Sequence, residues 1–171
     1  GGKGVIGLTT KEEDVVEDII TTNTHDNILF FTTRGRVFQL RAYDIPQATR
    51  TAKGQAMVNF LQLAPNEKVS ATLSMDDMNI YKYLVMVTNK GTTKKTAIED
   101  FANVRRSGII ALKLRPEEML EWVRPSTGKD NVILITALGQ AIHFAERNVR
   151  PMGRAASGVR GMRIKSNDNI V

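Results

Sequence analysis

At 171 residues and 42% hydrophobic, the chain is long enough to bury a core as one domain or two small ones, while no run of about 18 apolar residues could cross a bilayer and no signal-peptide pattern opens it, so a cytoplasmic, non-membrane protein is expected. Cysteine is absent and histidine is limited to His25 and His143, which excludes disulfides, thiolate metal sites, cysteine nucleophiles and nearly all histidine chemistry. Lys and Arg number 24 against 18 acidic residues, a net charge of +6, and this favours an anionic partner.

In chain order, Gly2-Lys3-Gly4-Val5-Ile6-Gly7 formally matches a dinucleotide fingerprint, but no strand precedes it, as a true site needs. Gly4 with Leu8 is better read as the opening of a repeat. Glu12, Glu13, Asp14, Glu17 and Asp18 lie among Val15, Val16, Ile19 and Ile20, which reads as an exposed acidic turn leading into a strand rather than a metal site. The first hairpin follows at Ile28 to Leu40, an apolar run and a returning alternating run joined by Thr32-Thr33-Arg34-Gly35. Thr88-Asn89-Lys90-Gly91 closes a second such run from Leu84, and Thr136-Ala137-Leu138-Gly139 joins the two halves of a third, from Val132 to Phe144. Glycine at the turn supplies the positive φ that hairpin turns require. His143 alternates with Ile142 and Phe144, so it should point to the opposite face, with no second ligand to make a metal site. Trp122 is expected to pack a blade edge.

A second glycine follows each turn glycine after 19, 17 and 19 residues: Gly54, Gly108 and Gly158. Each is expected to open a strand, with Val58 and Phe60, Leu112 and Leu114, and Met162 and Ile164 as matched apolar positions. An acidic residue then precedes an apolar position, at Asp14-Val15-Val16, Glu67-Lys68-Val69, Glu118-Met119-Leu120 and Asp168-Asn169-Ile170. The period from Gly4 through Gly54 and Gly108 to Gly158 is 50, 54 and 50 residues. Such a period, filled with period-two runs rich in Val, Ile, Thr and Phe, points to blades rather than to a helical solenoid. The expected fold is all-β: four-stranded antiparallel blades in a propeller-like, incomplete ring, with repeats at about 4–53, 54–107 and 108–157 and a further one starting at 158–171. A β-meander or sandwich is the alternative.

The positive charge recurs between the paired glycines. Residues 35–54 hold Arg36, Arg41, Arg50 and Lys53 against Asp44; residues 91–108 hold Lys94, Lys95, Arg105 and Arg106 against Glu99 and Asp100; residues 139–158 hold Arg147, Arg150 and Arg154 against Glu146. Eleven bases against four acids leave these segments at +7 and the rest of the chain at −1. Arg34 and Lys90 flank the turn glycines. Basic loops at regular spacing suit a regular polyanion, because each phosphate neutralised releases counterions. Duplex DNA held by its backbone is the expected partner, since neither interleaved aromatics for single strands nor a recognition helix is present. Solvated loops, or a surface for an acidic protein, are the competing readings.

Thr24-His25-Asp26 leading into Thr33-Arg34-Gly35-Arg36-Val37-Phe38, the run from Ala42 through Asp44, Arg50 and Lys53 to Gln55, Asn103-Val104-Arg105-Arg106-Ser107-Gly108, Val149-Arg150-Pro151-Met152-Gly153-Arg154 and Gly158-Val159-Arg160-Gly161 together resemble the C-terminal domain of the bacterial DNA gyrase A proteins, over the whole chain. The resemblance implies a β-pinwheel whose basic perimeter wraps double-stranded DNA in support of negative supercoiling. Gly1, Gly2, Lys3 and Gly4 look like the end of that family's Gln-Arg-Arg-Gly-Gly-Lys-Gly box, whose first three residues do not occur here. It implies partnership with a gyrase A cleavage core and with the gyrase B protein in an A2B2 complex, and a chromosome-associated location. The cleavage core is not in this sequence: none of Tyr43, Tyr81 and Tyr83 has the Arg-Tyr-Thr context of the family's catalytic tyrosine. No catalysis by this chain and no cofactor within it are expected. No phosphate-binding loop of the G-x-x-x-x-G-K-[ST] type occurs here, so ATP and Mg2+ would be held elsewhere in the holoenzyme. The equivalent domain of topoisomerase IV is the nearest alternative. The expected DNA-binding set joins Gly1, Gly2, Lys3, Gly4 and Arg160 to the basic residues already named.

Overall fold

The structure, a computed structural model, describes residues 27–44 and 59–171, and among these residues it is built of strands and short 3-10 turns with no α-helix. The strands are β1 (Asn27–Thr32), β2 (Arg36–Arg41), β3 (Val69–Ser74), β4 (Tyr83–Thr88), β5 (Thr92–Ala97), β6 (Ile109–Ile110), β7 (Leu120–Ser126), β8 (Asn131–Ile135), β9 (Ala141–Ala145) and β10 (Val159–Arg160). They form three antiparallel sheets: β3-β1-β2-β6, then β10-β5-β4-β7, and the two-stranded β8-β9. The three hairpins expected from Thr-x-x-Gly are present, with Phe30 opposite Phe38, Val85 opposite Lys95 and Ile133 opposite His143.

The turns are built alike. The carbonyls of Thr32, Thr88 and Thr136 accept from the amides of Gly35, Gly91 and Gly139, and the threonine hydroxyls accept from the amides of Arg36, Thr92 and Gln140. Each turn glycine has positive φ, +72° at Gly35. A Cβ on Gly35 would also sit 2.3 Å from the Leu112 carbonyl oxygen.

The sheets stack face to face, and strand alternation feeds both interfaces. Leu84 and Met86 of β4 join Leu29, Phe31, Val37, Phe101 and Val123 in a core between the first two sheets. The intervening Val85 and Val87 join Leu134, Met162 and Ile170 in a core between the second and third, with Trp122 packed against it. Phe31 and Phe101 meet edge to face at 5.5 Å, an arrangement that aromatic pairs prefer. Because β1 and β4 are central and covered on both faces, both are buried from their second residue onward. Strand β8 instead alternates, leaving Ile133 and Ile135 exposed.

The expected strands after the second glycines are reduced to two residues each, β6 and β10. Leu112, Leu114, Met162 and Ile164 follow them in irregular backbone. The buried residue matching Leu112 and Met162 in the repeat at 54–107 is Leu61, six residues before its acid, as the other two are; Val58 lies outside the described residues. These short strands also complete a sheet begun two repeats earlier: β6 pairs with β2 and β10 with β5. A four-stranded sheet is therefore not one repeat but a hairpin, a strand from the next repeat and two residues lent by the repeat after that.

Candidate nucleic-acid interface

Two straps cross between neighbouring sheets, residues 98–108 from β5 to β6 and residues 146–158 from β9 to β10. They start in the same way, the amide of Ile98 bonding the Lys82 carbonyl and that of Glu146 the Asp130 carbonyl. Each opens with a 3-10 turn, Ile98–Phe101 and Glu146–Asn148. The first then buries Phe101 and Val104 and the second Val149, and each returns over the second strand of a hairpin. The first strap exposes Arg105 and Arg106; the second exposes Arg147 and Arg150, with Arg154 half-buried beside the Ile110 carbonyl. Arg41 at the end of β2 and Arg160 in β10 are exposed as well.

Other expected contacts are committed within the protein. Arg36 bonds both carboxylate oxygens of buried Glu67 and the Gln62 carbonyl, and its guanidinium lies over the Phe38 ring at 4.8 Å. Burial pushes the Glu67 carboxyl up. Hydrogen bonds from Arg36, Thr32 and the Ala64 amide, with the Arg36 charge, outweigh that and hold it at about 2. Arg34 is exposed, donating to the Pro65 carbonyl, and Lys90 donates to the carbonyls of Ser166 and Asp168 and to Asn169 Oδ1.

Lys94 and Lys95, expected on the basic surface, are 0% and 3% exposed. Their ammonium groups face carbonyl oxygens rather than solvent, so they are not available to a phosphate in this structure. Sequence charge cannot report this, because an alternating strand buried on both faces hides both of two consecutive side chains. Gly1, Gly2, Lys3, Gly4, Arg50 and Lys53, and the acidic run from Glu12 to Asp18, lie outside the described residues.

Four exposed bases escape the charge count because they follow the second glycines: Lys113, Arg115, Arg163 and Lys165. Their signal in the sequence is an alternation, Leu112-Lys113-Leu114-Arg115 and Met162-Arg163-Ile164-Lys165. Arg163 and Lys165 join Lys90, Arg115 and Arg160 around a cleft of about 700 Å3 that also holds the Glu118 carboxylate. Glu118 accepts from the Thr92 hydroxyl on one oxygen. Asp168, in the corresponding place, accepts from the amides of Leu138 and Asn169. Burial pushes its carboxyl up, and bonds from Thr136, Leu138 and Asn169 with the Lys165 charge reverse that, leaving it below the usual range. Acids at this place thus fix the turn beneath a basic rim. His143 is exposed on the face of β9 opposite Ile142 and Phe144.

The family profile described as "DNA gyrase C-terminal domain, beta-propeller" matches residues 1–23, 26–74, 82–127 and 130–171. The chain belongs to the DNA gyrase C-terminal domain family. The DNA gyrase A protein of Clostridium acetobutylicum is 50% identical over 161 residues, covering 94% of this chain and 19% of that protein. The gyrase A protein of Buchnera aphidicola is 40% identical over 171 residues, covering 100% of the chain and 20% of that protein. The chain thus spans about a fifth of the gyrase A relatives it matches. Among solved structures, the C-terminal domain of DNA topoisomerase IV superposes with a TM-score of 0.78 at 28% identity, covering 87% of this chain and 46% of that one. The DNA gyrase A C-terminal domain superposes with a TM-score of 0.67 at 25% identity, covering 87% and 47%. The all-β pinwheel architecture is that of the gyrase C-terminal domain family.

Proposed function

We propose that the chain binds duplex DNA along its basic straps and bends it, as the wrapping element of a gyrase A protein. The observation that carries this is the repeated strap. Each crossing between sheets is anchored by a buried residue at its start and exposes arginines further along, so successive sheets present cations in the same sense to one continuous polyanion. Such contacts read the backbone and not the bases. They offset a deformation costing on the order of 1–6 kcal/mol for 20–30 base pairs bent by 40–90°. The cleavage core, the gyrase B protein, the A2B2 assembly and the ATP and Mg2+ that drive strand passage belong to the rest of that complex, which works in the cytoplasm on the chromosome. The 40–50% identity to gyrase A sequences favours gyrase; the topoisomerase IV superposition keeps that enzyme's equivalent domain as the second reading.

A mobility-shift titration of linear duplex over a range of salt tests the proposal. With about four to seven phosphates engaged, the log–log slope of affinity against salt is expected at roughly −4 to −6. A slope near zero, or stronger retention of an acidic protein of equal charge, overturns it.

A further inference from the structure

The two consecutive lysines of β5 point to opposite faces and both end on the second strap. Lys94 Nζ donates to the carbonyls of Gly153, Arg154 and Ala156 at 2.8, 2.7 and 3.1 Å, and to that of Ala111 at 2.6 Å. Lys95 Nζ donates to the Glu146 carbonyl at 3.0 Å, lies 3.8 Å from the Glu146 carboxylate and rests 4.6 Å from the centre of the Tyr83 ring. Between these two ends the strap runs along β5, with Met152 N bonded to the Lys95 carbonyl at 2.7 Å and Pro151 bridging Lys95. Glu146 is itself held by Ser126, Gly128 and Asp130. The start of the strap is therefore tied to β7 and to the turn before β8.

A buried ammonium without partners is costly, and burial, followed by the Arg154 charge, pulls Lys94 down to about 8 against a smaller upward effect of Asp100. Its four carbonyl partners come from two segments distant in sequence, 111 and 153–156. In the first sheet the same position is Phe38, whose ring packs against Gly108, and the neighbouring position is Gln39, which accepts from Val104 N of the first strap. Strap anchoring from this pair of positions thus recurs, by packing and an amide in one sheet and by two ammonium groups in the next.

We infer that Lys94 and Lys95 are positioning residues for DNA: they touch no phosphate but hold the second strap so that Arg150 and Arg154 meet the duplex in a fixed array. The inference rests on the DNA-binding reading above. Only an ordered strap delivers its charges together, since a loose one would spend side-chain and backbone entropy at each contact.

The test is a mutant cycle on the full chain, read by duplex affinity and by amide exchange at Met152 and Lys113, whose amides bond the Lys95 and Ala156 carbonyls. Lys94→Met is expected to speed exchange at both amides and weaken binding about five- to twentyfold. In an Arg150→Ala/Arg154→Ala background the further loss should be under about twofold, whereas in an Arg105→Ala/Arg106→Ala background it should persist in full. An equal loss in both backgrounds, or faster exchange with unchanged affinity, overturns the inference. If Lys94→Met does not fold, Lys95→Met carries the same cycle, because it releases the other end of the strap. If the unaltered chain binds duplex without salt dependence, the DNA-binding reading itself fails, and this outcome is distinct from the others.

Discussion

Single residues in this protein carry loads that their types alone do not announce. Glu67 is the clearest case: its side chain is 0% exposed and paired with Arg36, and its carboxyl is held at about 2 instead of the usual 4.5. A carboxyl depressed on folding contributes stability that is fully present above its unfolded value and is lost as pH falls through the folded one. The melting temperature should therefore drop between about pH 4.5 and 2, and Glu67→Gln should flatten that drop while lowering stability at neutral pH by on the order of 1–3 kcal/mol. Circular-dichroism melts across this range measure both. The turn glycines make a matched pair. Gly35→Ala should cost well over 2 kcal/mol, because the new Cβ would strike the Leu112 carbonyl as well as adopt positive φ. Gly139→Ala should cost only about 1–2 kcal/mol, since nothing among the described residues lies within 4 Å of its Cβ position. Equal destabilisation of the two in chemical denaturation would contradict the packing role. The threonine and glycine of each turn are legible in the sequence because their chemistry is local. Lys94 reads there as a surface base because solvation is set by strands remote in sequence.

Elements divide in the same way. The long hairpins show themselves through short apolar runs, such as Ile28 to Phe31 and Leu84 to Val87, that end in a Thr-x-x-Gly turn. Strands β6 and β10 have two residues each and carry no period, so the sequence pattern overextends them and matches Val58 where Leu61 is the buried counterpart. The straps are legible as basic segments, but their architecture is not. Their anchors, Phe101 and Val149, look like any apolar residue until the sheets meet. Arg105→Ala/Arg106→Ala should weaken duplex binding alike for all sequences and make the salt slope shallower by about 1.8, at about 0.9 for each phosphate contact removed. Filter-binding isotherms at several salt concentrations, on two unrelated duplexes, give both quantities. An effect confined to one sequence would point to base reading.

At the scale of the whole molecule, the third sheet differs from its neighbours. Its hairpin exposes Ile133 at 63% and Leu138 at 60%, and among the described residues no strand pairs with the outer edge of β9. Unpaired edges with apolar faces favour association between copies. Sedimentation is expected to show concentration-dependent self-association that Ile133→Lys/Leu138→Lys abolishes; a monomer at high concentration would show that this edge is guarded. The ring-like stacking itself is foreseeable from the repeat period, whereas the lending of strands between repeats is not, because periodicity fixes the length of a unit and not its boundaries.

That lending gives the stack a direction. β2 is covered by β6 and β5 by β10, as each course of roof tiles is weighted by the one laid after it. Lifting a tile in the middle requires lifting its successor first. Opening should therefore begin at β8 and β9 and travel toward the amino-terminal sheet, with amide protection greatest in β1, intermediate in β4 and least in β8. Native-state hydrogen exchange would show this gradient. A load transmitted by bound DNA would likewise be resisted unequally along the stack, with the β8–β9 sheet the first to give.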